Sequence, residues 1–355
     1  MITQSPEINK KYKFKVAIVI LNWNGATFLR QYLPSVVRHS ACEWCQIVIA
    51  DNGSTDESRN VIETEFQEVQ FLPLDENFGF AKGYNEALKN IDAEYFLLLN
   101  SDIQVTEGWL LPLVNAMDKN PLAGACQPKI LSMNEPEKFE YAGASGGFID
   151  RLGYPFCRGR ILNVCEKDNG QYNQPISVFW ATGAAIMVRS SCWEQTGGFD
   201  PDFWAHVEEI DLCWRMRNLG YQIQVEPQSV VYHLGGGSLP YQSPLKVYLN
   251  FRNNLYLLYK NLPANSFFPI IFFRMVLDGI AGIQFLVTGQ WSAFAKVLKA
   301  HFDFYHHIPT LSKQRKQLQK VRKVSRHQTI YKGSIIFDFF ILRKRKFSQI
   351  LGMTK

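Results

Sequence analysis

The chain has 355 residues, of which 46% are hydrophobic and 20% charged, and its formal net charge is +6 at pH 7. This composition is typical of a globular protein and excludes collagen-like and mainly disordered chains. Thirteen Lys and Arg residues but one acidic residue, Asp338, follow residue 312. A slightly acidic body with a basic C-terminal segment predicts contact with phosphate groups, of either anionic lipid or nucleic acid.

The cysteine content indicates the compartment. Seven cysteines is an odd number, and residues 1–13 are polar and lack the apolar segment of a secretory signal. We therefore expect reduced thiols and a cytoplasmic protein.

Apolar, β-branched runs alternate with helical patterns in the first hundred residues. Strands are predicted at 16–21, 46–50, 69–72 and 95–99, and helices at 27–39, up to about residue 65, and at 82–90. This alternation predicts a doubly wound α/β sheet flanked by helices, which binds ligands at the carboxyl ends of its strands.

Two acidic residues follow predicted strands. Asp51 can accept hydrogen bonds from a nucleobase or ribose, and Asp102 can hold a divalent cation that neutralises a diphosphate. Each also has a purely structural interpretation, because Asp-Asn-Gly-Ser is a turn sequence and Asn-Ser-Asp can cap a helix.

Three carboxylates lie at a loop-to-helix junction in the second half of the chain. Glu208, Glu209 and Asp211 follow an aromatic segment and precede a helix that stops at Gly220. Partial burial raises a carboxyl pKa toward neutrality, as a general base requires. The alternative is an acidic first helical turn that only complements the helix dipole.

The order of these motifs is similar to that of inverting family 2 glycosyltransferases with a GT-A fold, especially the rhamnosyltransferase-like branch. The motifs are VAIVILNWNG, DNGSTDES, NFGFAKGYNEAL, LLLNSD, ATGAAIMVR, GGFDPDFWAHVEEIDLCWR and VYHLGGGS. The resemblance implies a GT-A domain at 15–240 after a tail at 1–14. Its nucleotide-binding half is 15–105, and its acceptor and catalytic half is 106–240.

The resemblance also implies roles for residues of the first half. Asn22 and Trp23 would lie beside the nucleobase, and Asp51 would bind the base or ribose. The segment from Asn77 to Lys82 would border the nucleotide. These residues would bind a nucleotide-sugar donor.

A metal site and a base are implied in the same way. Asp102 would contact Mg²⁺ or Mn²⁺, and His233 is the expected second ligand, because Asn100 stands where the motif can have its first acid. A hydrogen-bonded structural histidine is the alternative for His233. Glu209 is the first choice for the base and Glu208 the second.

The segment 241–355 is predicted to be helical, basic and membrane-associating. Arg252 and Asn253 lie in an aromatic amphipathic helix, where their role is undetermined. The apolar stretch 267–288 contains Arg274 and Asp278, which favours an interfacial or packed helix over a span. A basic helix pair packed on the catalytic domain is the alternative to an anionic membrane surface. Nucleic acid is disfavoured, because no binding module is recognisable.

Together these features predict an enzyme at the inner face of the cell membrane. It would transfer a sugar, rhamnose from dTDP-rhamnose by the branch resemblance, to a lipid-linked or other saccharide acceptor in surface polysaccharide synthesis. A nucleotide-sugar-binding protein without turnover and a membrane-bound assembly subunit are the alternatives.

Overall fold

The computed structural model describes residues 11–235 and 243–350. The first hundred residues form a parallel sheet flanked by helices. Its elements are β1 (Phe14–Asn22), α1 (Ala26–Ser40), β2 (Cys45–Asp51), α2 (Ser58–Glu65), β3 (Gln70–Pro73), α3 (Gly79–Leu88) and β4 (Ala93–Leu99). The predicted strands and helices of this part are confirmed. Helix α3 begins three residues earlier than expected, at Gly79, whose N–H donates to Asn77 Oδ1 at 2.9 Å in an Asx turn.

The next part of the chain, up to residue 233, contains shorter elements. They are β5 (Ile103–Val105), α4 (Leu110–Lys119), β6 (Ala123–Ser132), β7 (Gly147–Asp150), β8 (Pro155–Cys157), β9 (Arg160–Ile161), β10 (Val164–Cys165), β11 (Ile176–Val178), β12 (Ala185–Arg189), α5 (Ser190–Thr196), α6 (Glu208–Leu219) and β13 (Gln222–His233). A 3₁₀ turn, Pro201–Phe203, precedes α6.

These strands make the central sheet mixed. Its order is β11-β13-β6-β12-β4-β1-β2-β3, with β5 paired to β13. Strand β12 is antiparallel to both β4 and β6. Along β1, Val16 and Ile18 pack into one apolar cluster while Ala17 and Val19 pack into another. Because successive strand side chains point to opposite faces, each face of the sheet is covered by its own core.

The C-terminal third is mainly helical. It contains α7 (Pro244–Asn261), α8 (Ala264–Val287), α9 (Trp291–Val321), β14 (Ile330–Tyr331), α10 (Ile335–Phe340) and a 3₁₀ turn, Phe347–Gln349. Strand β14 pairs in parallel with β7 and completes a small sheet of order β10-β9-β8-β7-β14. The boundary at residue 240 stays a prediction, and the segment after it shares a sheet with the segment before it.

Helix α8 turns its polar residues toward the protein and its apolar residues toward the outside. It is the helix, among the residues that the structure describes, that is long and apolar enough to cross a membrane. Arg274 and Asp278 form a buried ion pair (Nε to Oδ1, 2.9 Å), and the Arg274 guanidinium lies 4.0 Å from the centre of the Tyr154 ring. Phe272 and Ile280, in contrast, are more than half exposed. The charged side of α8 therefore faces the protein and its apolar side faces outward.

A buried ionic network joins α6 to α7. Asp211 is fully buried, and its carboxylate accepts from Arg215 Nε at 2.7 Å, Lys260 Nζ at 3.1 Å and Asn261 Nδ2 at 2.8 Å. Lys260 also bonds Asp200, before the 3₁₀ turn. Burial alone would raise the pKa of Asp211, but Lys260 and Arg215 outweigh it and lower the pKa. Asp211 thus fixes α6 against α7.

We expect Asp211→Ala to lower the free energy of unfolding by about 3–5 kcal/mol, because Lys260 and Arg215 would keep buried charges without this partner. Since the folded pKa of Asp211 is lowered, its contribution is present at neutral pH and is lost as the pH falls through that pKa. Denaturant unfolding at neutral pH measures the effect. Asp75→Ala, at an exposed site, is the control and should change stability by less than about 0.5 kcal/mol. A loss equally small for Asp211→Ala would contradict the prediction.

Candidate active site

The carboxyl ends of β1 and β2 bring two predicted residues together. Asn22 pairs with Asp51 in the strand register, and Asn22 Nδ2 donates to Asp51 Oδ1 at 3.0 Å. Asp51 Oδ2 accepts the N–H of Ser54 at 3.0 Å. Both side chains are more than 90% buried, and Asn22 Oδ1 has no hydrogen-bond partner among the described residues. This oxygen is thus a buried acceptor to which no described group donates.

The other residues predicted to bind the nucleotide, Trp23, Asn77 and Lys82, differ in their exposure and contacts. Trp23 is 58% exposed, so the face of its indole is free to stack. Asn77 Oδ1 accepts from Asn52 Nδ2 at 3.1 Å, and Asn52 Oδ1 accepts the N–H of Phe78 at 3.0 Å. Lys82 is exposed, with its ammonium 4.1 Å from the centre of the Phe78 ring. Asn77 therefore connects β2 to α3, whereas Lys82 points along the helix surface.

Antiparallel pairing of β5 with β13 brings Asp102 to His233. Ile103 lies opposite His233 in this register, and Asp102 Oδ1 lies 3.2 Å from His233 Nε2. On the other side of the ring, Glu140 Oε2 lies 3.4 Å from His233 Nδ1. All three side chains are more than 90% buried. Burial alone would lower the pKa of His233, but the two carboxylates outweigh burial and raise it to about 10.

This pair suits a divalent cation. With its raised pKa, His233 is protonated at neutral pH and pairs directly with Asp102. A divalent cation that bound His233 Nε2 and Asp102 would take the place of the proton on that nitrogen. Glu140 lies beside Nδ1, on the other side of the ring. Within the described ranges, no group of three or more His, Cys, Asp or Glu side chains is arranged to hold a metal ion. A cation on Asp102 and His233 would therefore complete its coordination with water or phosphate oxygens.

The loop before α6 has an unusual backbone. Trp204, His206 and Val207 have φ values of 63°, 68° and 74°. Such angles are uncommon for residues other than glycine and are a true outlier for a β-branched residue such as Val207. Each costs of the order of 1–3 kcal/mol, so neighbouring contacts must hold the loop in place.

Helix α7 supplies those contacts. Asn253 is fully buried, and its Nδ2 donates to the carbonyls of Phe203, Ala205 and His206 at 3.0, 2.9 and 2.7 Å. Arg252 Nη2 donates to the carbonyl of Phe203 at 3.1 Å. The role of the Arg-Asn pair was undetermined from the sequence. In the structure, the pair holds the loop that precedes the acidic helix.

The two predicted base residues open α6 directly after this loop. Glu208 is buried and Glu209 is partly exposed. One carboxylate oxygen of each, Oε2, is buried without a hydrogen-bond partner among the described residues. Burial raises the pKa of Glu209 to about 7. Burial and the charge of Glu209 raise the pKa of Glu208 well above its usual range. Burial therefore favours the protonated form of both carboxyl groups, and Glu209 exchanges its proton near neutral pH.

A short segment before β12, Gly183 and Ala184, lies between the acids of α6, the nucleotide-side helix α3 and the turn that contains Asp102. Gly183 packs on Phe80 of α3 and on Glu209; a methyl group in place of its hydrogen would lie 3.7 Å from Glu209 Cβ. The next residue, Ala184, accepts the N–H of Asn100 at 2.9 Å. In addition, the carbonyl of Trp204 accepts the N–H of Phe80 at 3.1 Å. The nucleotide-side helix, the Asn100–Asp102 turn and the acids therefore border one another.

Three residues of this region were not predicted as site residues from the sequence. Asn52 lies within the DNGSTDES motif, so its position after a strand was a usable signal. Asn253 lies in a recognised Arg-Asn pair, but nothing local relates it to residues 203–206. Glu140 lies in no motif, and only the folded chain brings it to His233.

The match to known families agrees with this geometry. The family model described as "Glycosyl transferase family 2" matches residues 17–194, just over half of the chain. The chain belongs to glycosyl transferase family 2. The matched region begins in β1 and ends in α5, so it contains Asn22, Asp51 and Asp102 and stops before Glu208, Glu209 and His233.

Similar proteins extend the comparison. The N-acetylglucosaminyl-diphospho-decaprenol L-rhamnosyltransferase of Mycobacterium tuberculosis is 27% identical over 234 residues, which are 61% of this chain and 75% of that protein. A crystal structure of GalNAc-T7 with UDP, GalNAc and Mn²⁺ has a TM-score of 0.54 at 16% identity, covering 71% of this chain and 48% of that one. The S. aureus TarS 1–349 structure with UDP has a TM-score of 0.51 at 16% identity and 87% coverage of each chain. The GT-A architecture predicted from the sequence is thereby confirmed, and this protein is a glycosyltransferase.

The raised pKa of Glu209 has a measurable effect on stability. The folded protein holds this proton to higher pH than the unfolded chain, so ionising Glu209 costs stability as the pH rises from about 4.5 to 7. We expect Glu209→Gln to be more stable than the unsubstituted protein at pH 8, by about 1–3 kcal/mol, and the difference to shrink at pH 5.

Denaturant unfolding at the two pH values measures this difference. Glu68→Gln, at an exposed position, is the control and should show no pH-dependent gain. A Glu209→Gln variant whose stability follows that of the unsubstituted protein at both pH values would contradict the assignment of a raised pKa.

Proposed function

We propose that this glycosyltransferase transfers a sugar from a nucleotide-sugar donor to a lipid-linked saccharide, with inversion at the anomeric carbon. One observation carries the proposal: Glu209, a carboxylate with a pKa of about 7, lies beside Gly183, and the next residue, Ala184, accepts the N–H of Asn100 in the turn that leads to Asp102. Such a group is suited to remove a proton from a hydroxyl at physiological pH.

The donor would bind at the ends of β1 and β2. The unpaired Asn22 Oδ1 and the Asp51 carboxylate offer acceptors to a nucleobase or ribose, and Trp23 offers a stacking face. Asn77 would border the nucleotide through its position at the start of α3. Lys82 is exposed one turn along that helix, where a donor phosphate within its reach would be bound by charge.

Asp102 and His233 would hold Mg²⁺ or Mn²⁺ beside the donor diphosphate. A bound divalent cation supplies charge neutralisation for the departing nucleoside diphosphate. Glu140 would keep His233 oriented through Nδ1. The complex of GalNAc-T7, which contains UDP and Mn²⁺, supports this arrangement by analogy of fold.

Glu209 would act as the general base. Its carboxylate takes the proton of the acceptor hydroxyl as that oxygen bonds to the anomeric carbon and the bond to the diphosphate breaks. Glu208, whose pKa burial and the charge of Glu209 raise well above its usual range, would stay protonated and leave one negative charge at the site. Asn253 would position both acids through the loop at 203–206.

The acceptor would come from a membrane surface. The rhamnosyltransferase relative is named for a diphospho-decaprenol substrate, which supports a lipid-linked acceptor and, with less weight, rhamnose from dTDP-rhamnose as donor. The exposed apolar face of α8 and the basic C-terminal segment support peripheral attachment to anionic lipid at the cytoplasmic face. Surface polysaccharide synthesis is the proposed pathway class.

Asp102→Ala tests the metal and donor site. We expect the unsubstituted protein to bind one class among dTDP-rhamnose, UDP-sugars and GDP-sugars in the presence of Mn²⁺ or Mg²⁺. Loss of a charged metal ligand should weaken this binding by about 10–100-fold or more. Calorimetry measures it, with Asp92→Ala, before the opposite end of β4, as the control. Metal-dependent binding that survives in Asp102→Ala would overturn the metal assignment.

Glu209→Gln tests the base. We expect kcat to fall by about 10²–10⁴-fold while donor binding is unchanged, because the amide cannot accept the proton. In the unsubstituted enzyme, kcat should rise with pH through about 7 as Glu209 ionises. Glu68→Gln is the matched control.

Three outcomes would change this assignment. Unchanged turnover in Glu209→Gln would remove Glu209 as the base. The corresponding loss in Glu208→Gln alone would transfer the role to Glu208. Donor binding without transfer to any acceptor would favour a binding protein.

A further inference from the structure

A cavity of about 300 Å³ lies between the C-terminal ends of α6 and α7, the start of α8 and the segment after α9. Its apolar wall includes Trp214, Leu258 and Ile270. Ile270 belongs to α8, and Phe273, three residues further along the same side of this helix, is 56% exposed. The cavity therefore opens beside the apolar outer face of α8, and its volume is at the lower end of the range for ligand sites.

The polar part of the wall is mainly basic. Arg151, Arg322, Arg326 and Lys332 line the cavity and are cationic. His327 also lines it, but burial and the charges of Arg217 and Arg322 lower its pKa to about 4, so it is neutral. In the part of the chain that the structure describes, none of these five side chains forms an ion pair with a carboxylate. A cluster of cationic groups without a counter-ion attracts an anion.

The partners that these groups do have are neutral. Arg322 donates to the carbonyl of Asn261, and its Nε is buried without a hydrogen-bond partner among the described residues. His327 Nε2 lies 3.0 Å from Asn218 Oδ1. Burial and the neighbouring Arg315 lower the pKa of Arg322 to about 10. An anion in the cavity would offer Arg322 the acceptor and the opposite charge that the chain does not supply.

The carboxylate that lines the cavity, that of Asp150, already accepts hydrogen bonds from the backbone. Asp150 Oδ1 accepts the N–H groups of Leu152 and Tyr154, and Oδ2 accepts that of Ile335, each at 2.9 Å. Burial raises its pKa to about 6. Asp150 thus accepts from the backbone around β7 and, among the described residues, forms no ion pair with the basic side chains of the cavity.

This cavity is separate from the active site. Trp214 and Asn218 line it from the C-terminal half of α6, whereas Glu208 and Glu209 open that helix. With a rise of about 1.5 Å per residue, Asn218 lies roughly 15 Å from Glu208 along the helix axis. A donor diphosphate held by Asp102 would therefore not reach it.

We propose that this cavity binds the phosphate headgroup of an anionic membrane lipid, whose acyl chains lie along the apolar face of α8. The basic wall binds the phosphate, the apolar wall contacts the glycerol and first methylene groups, and α8 continues the apolar surface. The inference rests on the proposed attachment to an anionic membrane and assigns it a specific site, rather than the charge of the basic segment as a whole.

Co-sedimentation with vesicles of phosphatidylcholine, with and without phosphatidylglycerol, tests the site in the full chain. The cavity variant is Arg326→Glu with Lys332→Glu, both at exposed positions. The control is Lys313→Glu with Lys316→Glu, which makes the same change in charge on the exposed surface of α9. We expect the cavity variant to lose binding to phosphatidylglycerol by about tenfold or more, and the control to stay within about threefold of the unsubstituted protein.

Glycerol 1-phosphate distinguishes a lipid from a free phosphate. We expect it to compete with the vesicles in the unsubstituted protein. Equal losses in the two double variants would show attachment by general charge and overturn the cavity site, as would full binding by the cavity variant. Binding of glycerol 1-phosphate without any binding to phosphatidylglycerol would overturn the lipid assignment. The assay contains no donor or acceptor sugar, so its failure is distinct from a failure of glycosyl transfer.

Discussion

The backbone of the loop before α6 is the constraint on which the site depends. Trp204, His206 and Val207 hold angles that residues with side chains rarely adopt, and this shape presents Glu208 and Glu209 at the start of a helix. The amide of Asn253 satisfies three carbonyls of the loop, and these hydrogen bonds offset the strain. Since Asn253 belongs to α7, the C-terminal third takes part in shaping the catalytic half.

Three acids lie within four residues of α6, and their local surroundings shift their carboxyl pKa values in different directions. Burial disfavours the charged form of each. For Asp211, Lys260 and Arg215 outweigh burial, and the pKa falls. No cation in the described part of the chain lowers the pKa of Glu209, which burial raises to about 7. One acid therefore serves as a permanently charged structural anchor, and its neighbour is suited to proton transfer. The same helix provides the stability of the site and its proposed reactivity.

The C-terminal helices combine attachment to the body with an apolar outer surface. The buried ion pair of Arg274 and Asp278 fixes α8 to the protein by its polar side, which leaves an apolar stripe facing outward. A contiguous apolar stripe on a protein surface is typical of an interaction surface. With the basic cavity beside it, this stripe forms the surface that we propose to lie on the membrane, while β14 joins the same segment to the small sheet.

Residue patterns alone predicted the strands and helices of the first hundred residues and the strand-end acids, and the order of motifs indicated the family. These features are local: apolar periodicity defines a strand, and the residues that end a strand follow it directly in the chain. The tertiary structure decided the rest, including Glu140 beside His233, Asn253 beneath its loop and the opposite pKa directions of Glu209 and Asp211. Each depends on groups far apart in sequence, with Asn253 and Ala205 separated by 48 residues. Burial and charge pairing exist only after the chain has folded, so no local pattern could reveal them.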